Sequence, residues 1–167
     1  MTRGRPLKQK MVVLLTTVGF VVLLDVATKA YIVATLFLHE SFAVIEGFFN
    51  ITYVRNPGAA FGFLAGTSPG FRFFFFISIT LAVIAMILYY IWKSHDKEIF
   101  ETFSLSLILS GALGNMIDRV RFGEVIDFID VYVGSHHWPA FNVADSAISV
   151  GAAFLIFSLL RHKKEDV

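Results

Sequence analysis

Four stretches of this 167-residue chain are apolar and long enough to cross the hydrocarbon core of a bilayer, about 30 Å thick and spanned by roughly 20 helical residues. They run near residues 11–31, 71–92, 99–120 and 140–160. A helix satisfies its own backbone hydrogen bonds inside lipid, so this pattern predicts a mainly α membrane protein of four transmembrane helices. Composition agrees: 56% of residues are hydrophobic, 19 are phenylalanine, and only 16% are charged, against about a quarter in soluble domains. The length suits a single integral membrane domain over residues 1–167. A net charge of +1 without a basic stripe predicts no nucleic-acid partner. The absence of cysteine excludes disulfides, thiolate metal sites and a cysteine nucleophile, so any chemistry uses oxygen or nitrogen groups.

Charge placement orients the chain. Arg3, Arg5, Lys8 and Lys10 precede the apolar run Met11 to Leu24, a pattern shared with cleavable signal peptides. The segment reads as retained, because it lacks an A-x-A cleavage signal and Asp25 and Lys29 extend it. Basic residues at the N-terminus, in the 93–98 turn (Lys93, Lys97) and at the C-terminus (Arg161, Lys163, Lys164) place all three in the cytoplasm. Trp92, after Tyr89 and Tyr90, fits an interfacial aromatic belt at the inner end of the second span. Two longer connections, 32–70 and 121–139, then lie outside. In the first, FFNITYVRN reads as a short strand running into the glycine-bearing turn PGAAFG, so the outer region is expected to be a small β-containing cradle. The preceding LFLHESFAVIEGFF is expected to be an amphipathic piece on the membrane surface.

The polar residues within the spans share one depth. At 1.5 Å per helical residue, Asp25 stands roughly 22 Å above Lys10 and Asn115 roughly 27 Å above Lys97, near the outer edge of the core. The fourth span starts outside, so Asn142 and Asp145 fall at that level too. Each residue also has a plain structural reading. Asp25 and Lys29 are spaced for a local i,i+4 ion pair. Asp118 and Arg119 read as the end of the third helix, Asn142 as a cap of the fourth, and Asp145 as a complement to that helix's dipole. Asp127 and Asp130 are three apart, and spacing alone leaves open which one faces the layer.

Elimination narrows the chemistry. His136 and His137 are adjacent, which is poor spacing for one metal ion, so no metal is expected. Neither Ser110 nor Ser146 sits in a nucleophile elbow, although Ser146 with His137 remains conceivable. The two glycines of GALGN lie inside an apolar helix, where close helix packing is the reason for them. What remains is acid chemistry: two carboxylates held close share a proton, so one activates water while the other protonates a carbonyl.

Five motifs, in order, resemble those of the lipoprotein signal peptidases, the bacterial signal peptidase II family of membrane aspartic proteases. They are DVATK (Asp25 to Lys29), RNPGAAFG (Arg55 to Gly62), GALGNMIDR (Gly111 to Arg119), EVIDF (Glu124 to Phe128) and FNVADS (Phe141 to Ser146). The resemblance implies that Asp127 and Asp145 are the catalytic pair. Asn56, Asn115, Arg119 and Asn142 then line or support the site, together with Asp25, Lys29 and Gly58, while Asp130 falls outside the motif. It implies a prolipoprotein substrate whose signal peptide is still embedded and whose cysteine already carries a diacylglyceryl group, cleaved on the N-terminal side of that cysteine. It further implies no cofactor, contact with membrane lipid, inhibition by globomycin, action as a monomer, and residence in the bacterial inner membrane with the site near its outer face. The outer segment 32–62 would act as cradle and lid. Two other readings stand beside it: a small four-span proton-coupled exporter working through Asp25, and a structural assembly subunit.

Overall fold

The computed structural model describes residues 4–58, 64, 66–93 and 99–165. The basic turn around Lys97, and Ala59 to Gly62 of the glycine-bearing turn, lie outside the described residues. Four helices carry the chain: α1 (Gly4–Thr35), α2 (Pro69–Lys93), α3 (Ile99–Phe122) and α4 (Val143–Glu165). Each is long and apolar enough to cross a membrane. Helix α2 begins where sequence chemistry allows it, since the Ser68 hydroxyl accepts the Phe71 N–H at 3.3 Å and Pro69 follows at the first helical position. Helix α4 starts at Val143, three residues later than the apolar pattern suggested, because Asn142 is its cap.

Helix α3 is the centre of the bundle and packs against the other three. Its small residues make that possible. Gly111 abuts the backbone carbonyl of Ala144 on α4, and Gly151 of α4 in turn rests on Ser104 and Leu107. Lipid offers helices no hydrophobic drive to associate, so this close backbone approach is what holds the pair together. The buried serines of α3 do not compete for partners across the interface: Ser104 donates to Phe100 O at 2.8 Å and Ser106 to Thr102 O at 2.6 Å within the helix. Leu14, Ile87, Ile91, Leu105 and Leu109 fill the space between α1, α2 and α3.

Above the bundle lies a four-stranded antiparallel sheet in the order β1-β2-β3-β4: β1 (Ser41–Ile45), β2 (Phe49–Asn56), β3 (Val125–Val133) and β4 (His136–His137). The strand expected in FFNITYVRN is β2. The stretch before it, expected as an amphipathic surface piece, is the hairpin of β1, and it presents Phe37, Phe42, Val44 and Phe48 outward. The connection 121–139 carries an element that was not expected. Gly123, at φ 75°, ends α3 with its N–H on Arg119 O at 2.9 Å, and the chain then runs at once into the nine residues of β3. Strands β2 and β3 pair with Val54 opposite Asp127 and Asn56 opposite Val125, after an irregularity between Ile51 and Val54. Ile32, Tyr53, Ile126 and Phe128 seat the sheet on the C-terminal end of α1.

Candidate active site

Four elements contribute one or two polar side chains each to the plane where sheet meets bundle. Asn56 ends β2, Asp127 lies on β3, Asn115 and Arg119 come from α3, and Asn142 and Asp145 open α4. Asp127 is only 2% exposed. Its Oδ1 accepts from Asn142 Nδ2 at 2.7 Å and its Oδ2 from Asn56 Nδ2 at 3.0 Å. Burial raises its pKa to about 7, with the nearby Asp145 adding to the shift, while the two amide hydrogen bonds and the charge of Lys29 oppose it.

Asp145 is held by the start of its own helix. Asn142 Oδ1 accepts the Asp145 N–H at 2.9 Å, and the Asn142 N–H donates back to Asp145 Oδ2 at 3.3 Å, a reciprocal cap of the kind that fixes helix N-termini. The other oxygen, Oδ1, accepts from Asn115 Nδ2 at 2.7 Å. Asn142 therefore touches both carboxylates, one through its side-chain amide and one through its backbone.

Beneath the two acids lies an ion triad. Lys29 Nζ sits 2.7 Å from Asp25 Oδ2 and 2.8 Å from Asp118 Oδ2, with all three side chains almost wholly buried. Buried charges persist only when paired and hydrogen-bonded, and here each partner also clamps an element. Asp25 Oδ1 accepts the Ala144 N–H of α4 at 2.9 Å, and Asp118 Oδ2 accepts the Ile126 N–H of β3 at 3.2 Å. The local pair expected between Asp25 and Lys29 exists, but Asp118 does more than end α3. It fixes the strand residue next to Asp127.

Arg119 stacks over the ring of Phe76 at 4.6 Å and donates to Gly58 O at 3.2 Å, while the Gly58 N–H reaches Asn56 Oδ1 at 3.0 Å. Asn56, Gly58, Asn115, Arg119, Asp127 and Asp145 all line one cavity of about 580 Å³. The rest of its wall includes Trp138, Pro139, Ala140, Phe141 and Ile148. Sequence reasoning did not single these out. The run WPAF, leading into the Asn142 cap, was the available signal. Its Phe141 carbonyl is pinned by the Phe128 and Ile129 N–H groups at 3.0 and 2.8 Å.

Asp130 is elsewhere. Strand side chains alternate, so residues three apart face opposite sides. Its carboxylate pairs with Asn50 Nδ2 and His137 Nδ1, each at 2.8 Å. The conceivable Ser146 and His137 pairing is not formed, since the Ser146 hydroxyl donates to Asn142 O at 2.8 Å. Among the described residues, no group of three or more His, Asp or Glu side chains is arranged to hold a metal ion.

The sequence profile described as signal peptidase (SPase) II matches residues 17–161. The chain is 53% identical over 159 residues to the lipoprotein signal peptidase of Syntrophus aciditrophicus (strain SB), covering 95% of this chain and 99% of that protein. It is 51% identical over 153 residues to the lipoprotein signal peptidase of Geobacter metallireducens, covering 92% of each. Among solved structures, a bacterial membrane enzyme determined by the in meso method at 2.3 Å superposes with a TM-score of 0.83 at 38% identity, over 92% of this chain and 91% of the other. A second such structure, at 1.9 Å, gives a TM-score of 0.79 at 37% identity, over 88% and 92%.

Proposed function

The chain belongs to the signal peptidase II family of aspartic proteases, and from that premise we propose that Asp127 and Asp145 are the two carboxyls with which it removes signal peptides from prolipoproteins. The observation that carries this assignment is Asn142, whose amide lies 2.7 Å from Asp127 and whose N–H lies 3.3 Å from Asp145, so both acids face one cavity as a unit. An exporter built on Asp25 has no support. That carboxylate is closed in by Lys29 and the Ala144 N–H.

The two acids have different roles. Asp127, with its pKa raised to about 7, serves as the acid, and Asp145, at a helix N-terminus with an N–H donor on each oxygen, serves as the base. Asp145 takes a proton from a water molecule as its oxygen attacks the scissile carbonyl carbon, and Asp127 gives its proton to the carbonyl oxygen. The tetrahedral diol then collapses. The C–N bond breaks, the proton on Asp145 passes to the departing amine, and a diol hydroxyl returns its proton to Asp127. The products are a signal-peptide carboxylic acid and the amine of the new N-terminal residue, which leave as carboxylate and ammonium once the acid's proton passes to the amine through solvent.

The substrate's cysteine carries a diacylglyceryl group, and its acyl chains lie in lipid against the phenylalanine-bearing spans while the peptide enters the cavity between sheet and bundle. Purified protein acting as a monomer should cleave a diacylglyceryl-modified prolipoprotein on the N-terminal side of that cysteine, and globomycin should block it. Failure to cleave, in preparations that melt cooperatively, would refute the proposal. The same assay gives a pH dependence. The competent form has Asp127 protonated, so kcat should fall as pH rises through about 7. A rate that is flat to well above neutrality would rule out Asp127 as the acid.

The site lies near the outer face of the bacterial inner membrane, with both chain termini cytoplasmic, as the Lys and Arg placement supports. A cysteine introduced after Lys164 should stay unlabelled by an impermeant reagent in intact cells and label once the membrane is opened. Labelling from outside would invert the topology.

A further inference from the structure

We infer that Lys29 is a positioning residue for the reaction, acting through Asn115 to dictate which atom that amide offers to Asp145. This inference rests on the assignment of Asp127 and Asp145 above. Lys29 is 2% exposed and does not line the cavity, so it touches neither substrate nor water there. Its ammonium has three protons and no acceptor, and the structure gives it three acceptors: Asp25 Oδ2 at 2.7 Å, Asp118 Oδ2 at 2.8 Å and Asn115 Oδ1 at 3.2 Å. The two carboxylates fulfil the electrostatic need of a buried cation. The third contact goes to a residue that itself touches a reacting carboxylate.

An asparagine amide has a donor end and an acceptor end of nearly equal shape, and only its neighbours decide which way it faces. Asn115 Oδ1 is met by Lys29 Nζ and by Asn142 Nδ2, each at 3.2 Å. Both are donors. Turning the amide over would set its NH2 against an ammonium and a second NH2, and would set its oxygen against the Asp145 carboxylate. Asn142 Nδ2 divides its two protons among Asn115, Ile126 O and Asp127 Oδ1, so Lys29 is the larger of the two donors that close that alternative, and Asn115 Nδ2 stays 2.7 Å from Asp145 Oδ1. The ammonium thereby orients the Asp145 carboxylate from one residue away, without contacting it. Asp25 and Asp118 orient the ammonium in turn.

Removing Lys29 alone would leave two buried carboxylates facing each other, so the test couples it to a change that keeps the charge balanced. In Lys29→Met combined with Asp25→Asn, the amide introduced at position 25 retains an oxygen for the Ala144 N–H, and the cation removed at 29 is matched by the carboxylate removed at 25. Measured against Asp25→Asn alone, cleavage of a diacylglyceryl-modified prolipoprotein by the double variant should show kcat lower by about 100-fold, the loss typical of removing one preorganised donor, with KM within about threefold. A double variant that melts like Asp25→Asn and keeps its kcat, or loses only in KM, overturns the inference. Should the double variant not fold, Asn115→Asp decides. It preserves all three partners of Lys29 but presents an oxygen to Asp145, and full kcat in that variant would remove the proposed route. Asp127→Asn in the same assay separates the two levels: if it cleaves normally the carboxylate pair itself is wrong, whereas if it is dead and the Lys29 and Asn115 variants are normal, only the role of Lys29 falls.

Discussion

Asp127→Asn and Asp145→Asn are each expected to lower the rate of prolipoprotein cleavage by about ten-thousand-fold while leaving the protein folded and inserted. Each substitution is nearly isosteric and occurs in a site built of amides, so the loss is chemical. An asparagine at 127 has no carboxyl proton to give the carbonyl oxygen, and one at 145 has no basic oxygen to take a proton from water. Because the two acids act as a unit through Asn142, the double variant should be hardly slower than either single one. Asp130→Asn is the control, since its carboxylate serves Asn50 and His137 on the far face of β3. It should keep substantial activity. Turnover is measured on purified variants alongside thermal melting. A well-folded but inactive Asp130→Asn, with Asp127→Asn active, would move the chemistry three residues along the strand.

The second large effect concerns packing. Gly111→Ala should lower stability by about 3 kcal/mol, because the new methyl would collide with the Ala144 carbonyl and the Ile148 side chain, and a backbone carbonyl has nowhere to go. For a chain of this size that is a drop of about 6–12 °C in Tm. Gly114→Ala acts differently. Its methyl would come within 2.6 Å of Asp25 Oδ2, the oxygen on Lys29, and would prise open the ion triad. Both substitutions displace the start of α4, which carries Asp145, so activity should fall with stability. Gly19→Ala on α1 meets nothing within 4 Å and should be neutral or slightly stabilising, as helix propensity favours alanine. Equal melting temperatures for Gly111→Ala and Gly19→Ala would show that α3 and α4 do not approach closely there.

Much of this was legible from local sequence. Runs of apolar residues mark the helices because lipid leaves the backbone no other solution, and the expected spans lie within α1, α2 and α3 and overlap α4. The cap at Asn142 and the Asp25 to Lys29 pair follow from i,i+3 and i,i+4 spacing. The glycines of GALGN signalled close packing, and Gly111 is where it occurs. Strand β3 was not legible, because VIDFIDVYV sets two acids among its apolar residues and follows a helix after one glycine, which reads as a polar connection. Missing that strand also hid the choice between Asp127 and Asp130. Only a period of two puts them on opposite faces. The partnership of Asp118 with Lys29 spans 89 residues of chain and has no local signature. Nor does Trp138 to Phe141 as cavity wall, which depends on where the hairpin of β3 and β4 folds back.

A proton shared between the two acids is tested most directly by infrared difference spectroscopy of the carboxyl carbonyl stretch as a function of pH. The purified enzyme should show a protonated carboxyl that loses its proton at about pH 7. That band should vanish in Asp127→Asn and persist in Asp130→Asn. If no carboxyl titrates near neutrality, or if the band survives Asp127→Asn and disappears in Asp130→Asn, the shared-proton pair of Asp127 and Asp145 is wrong.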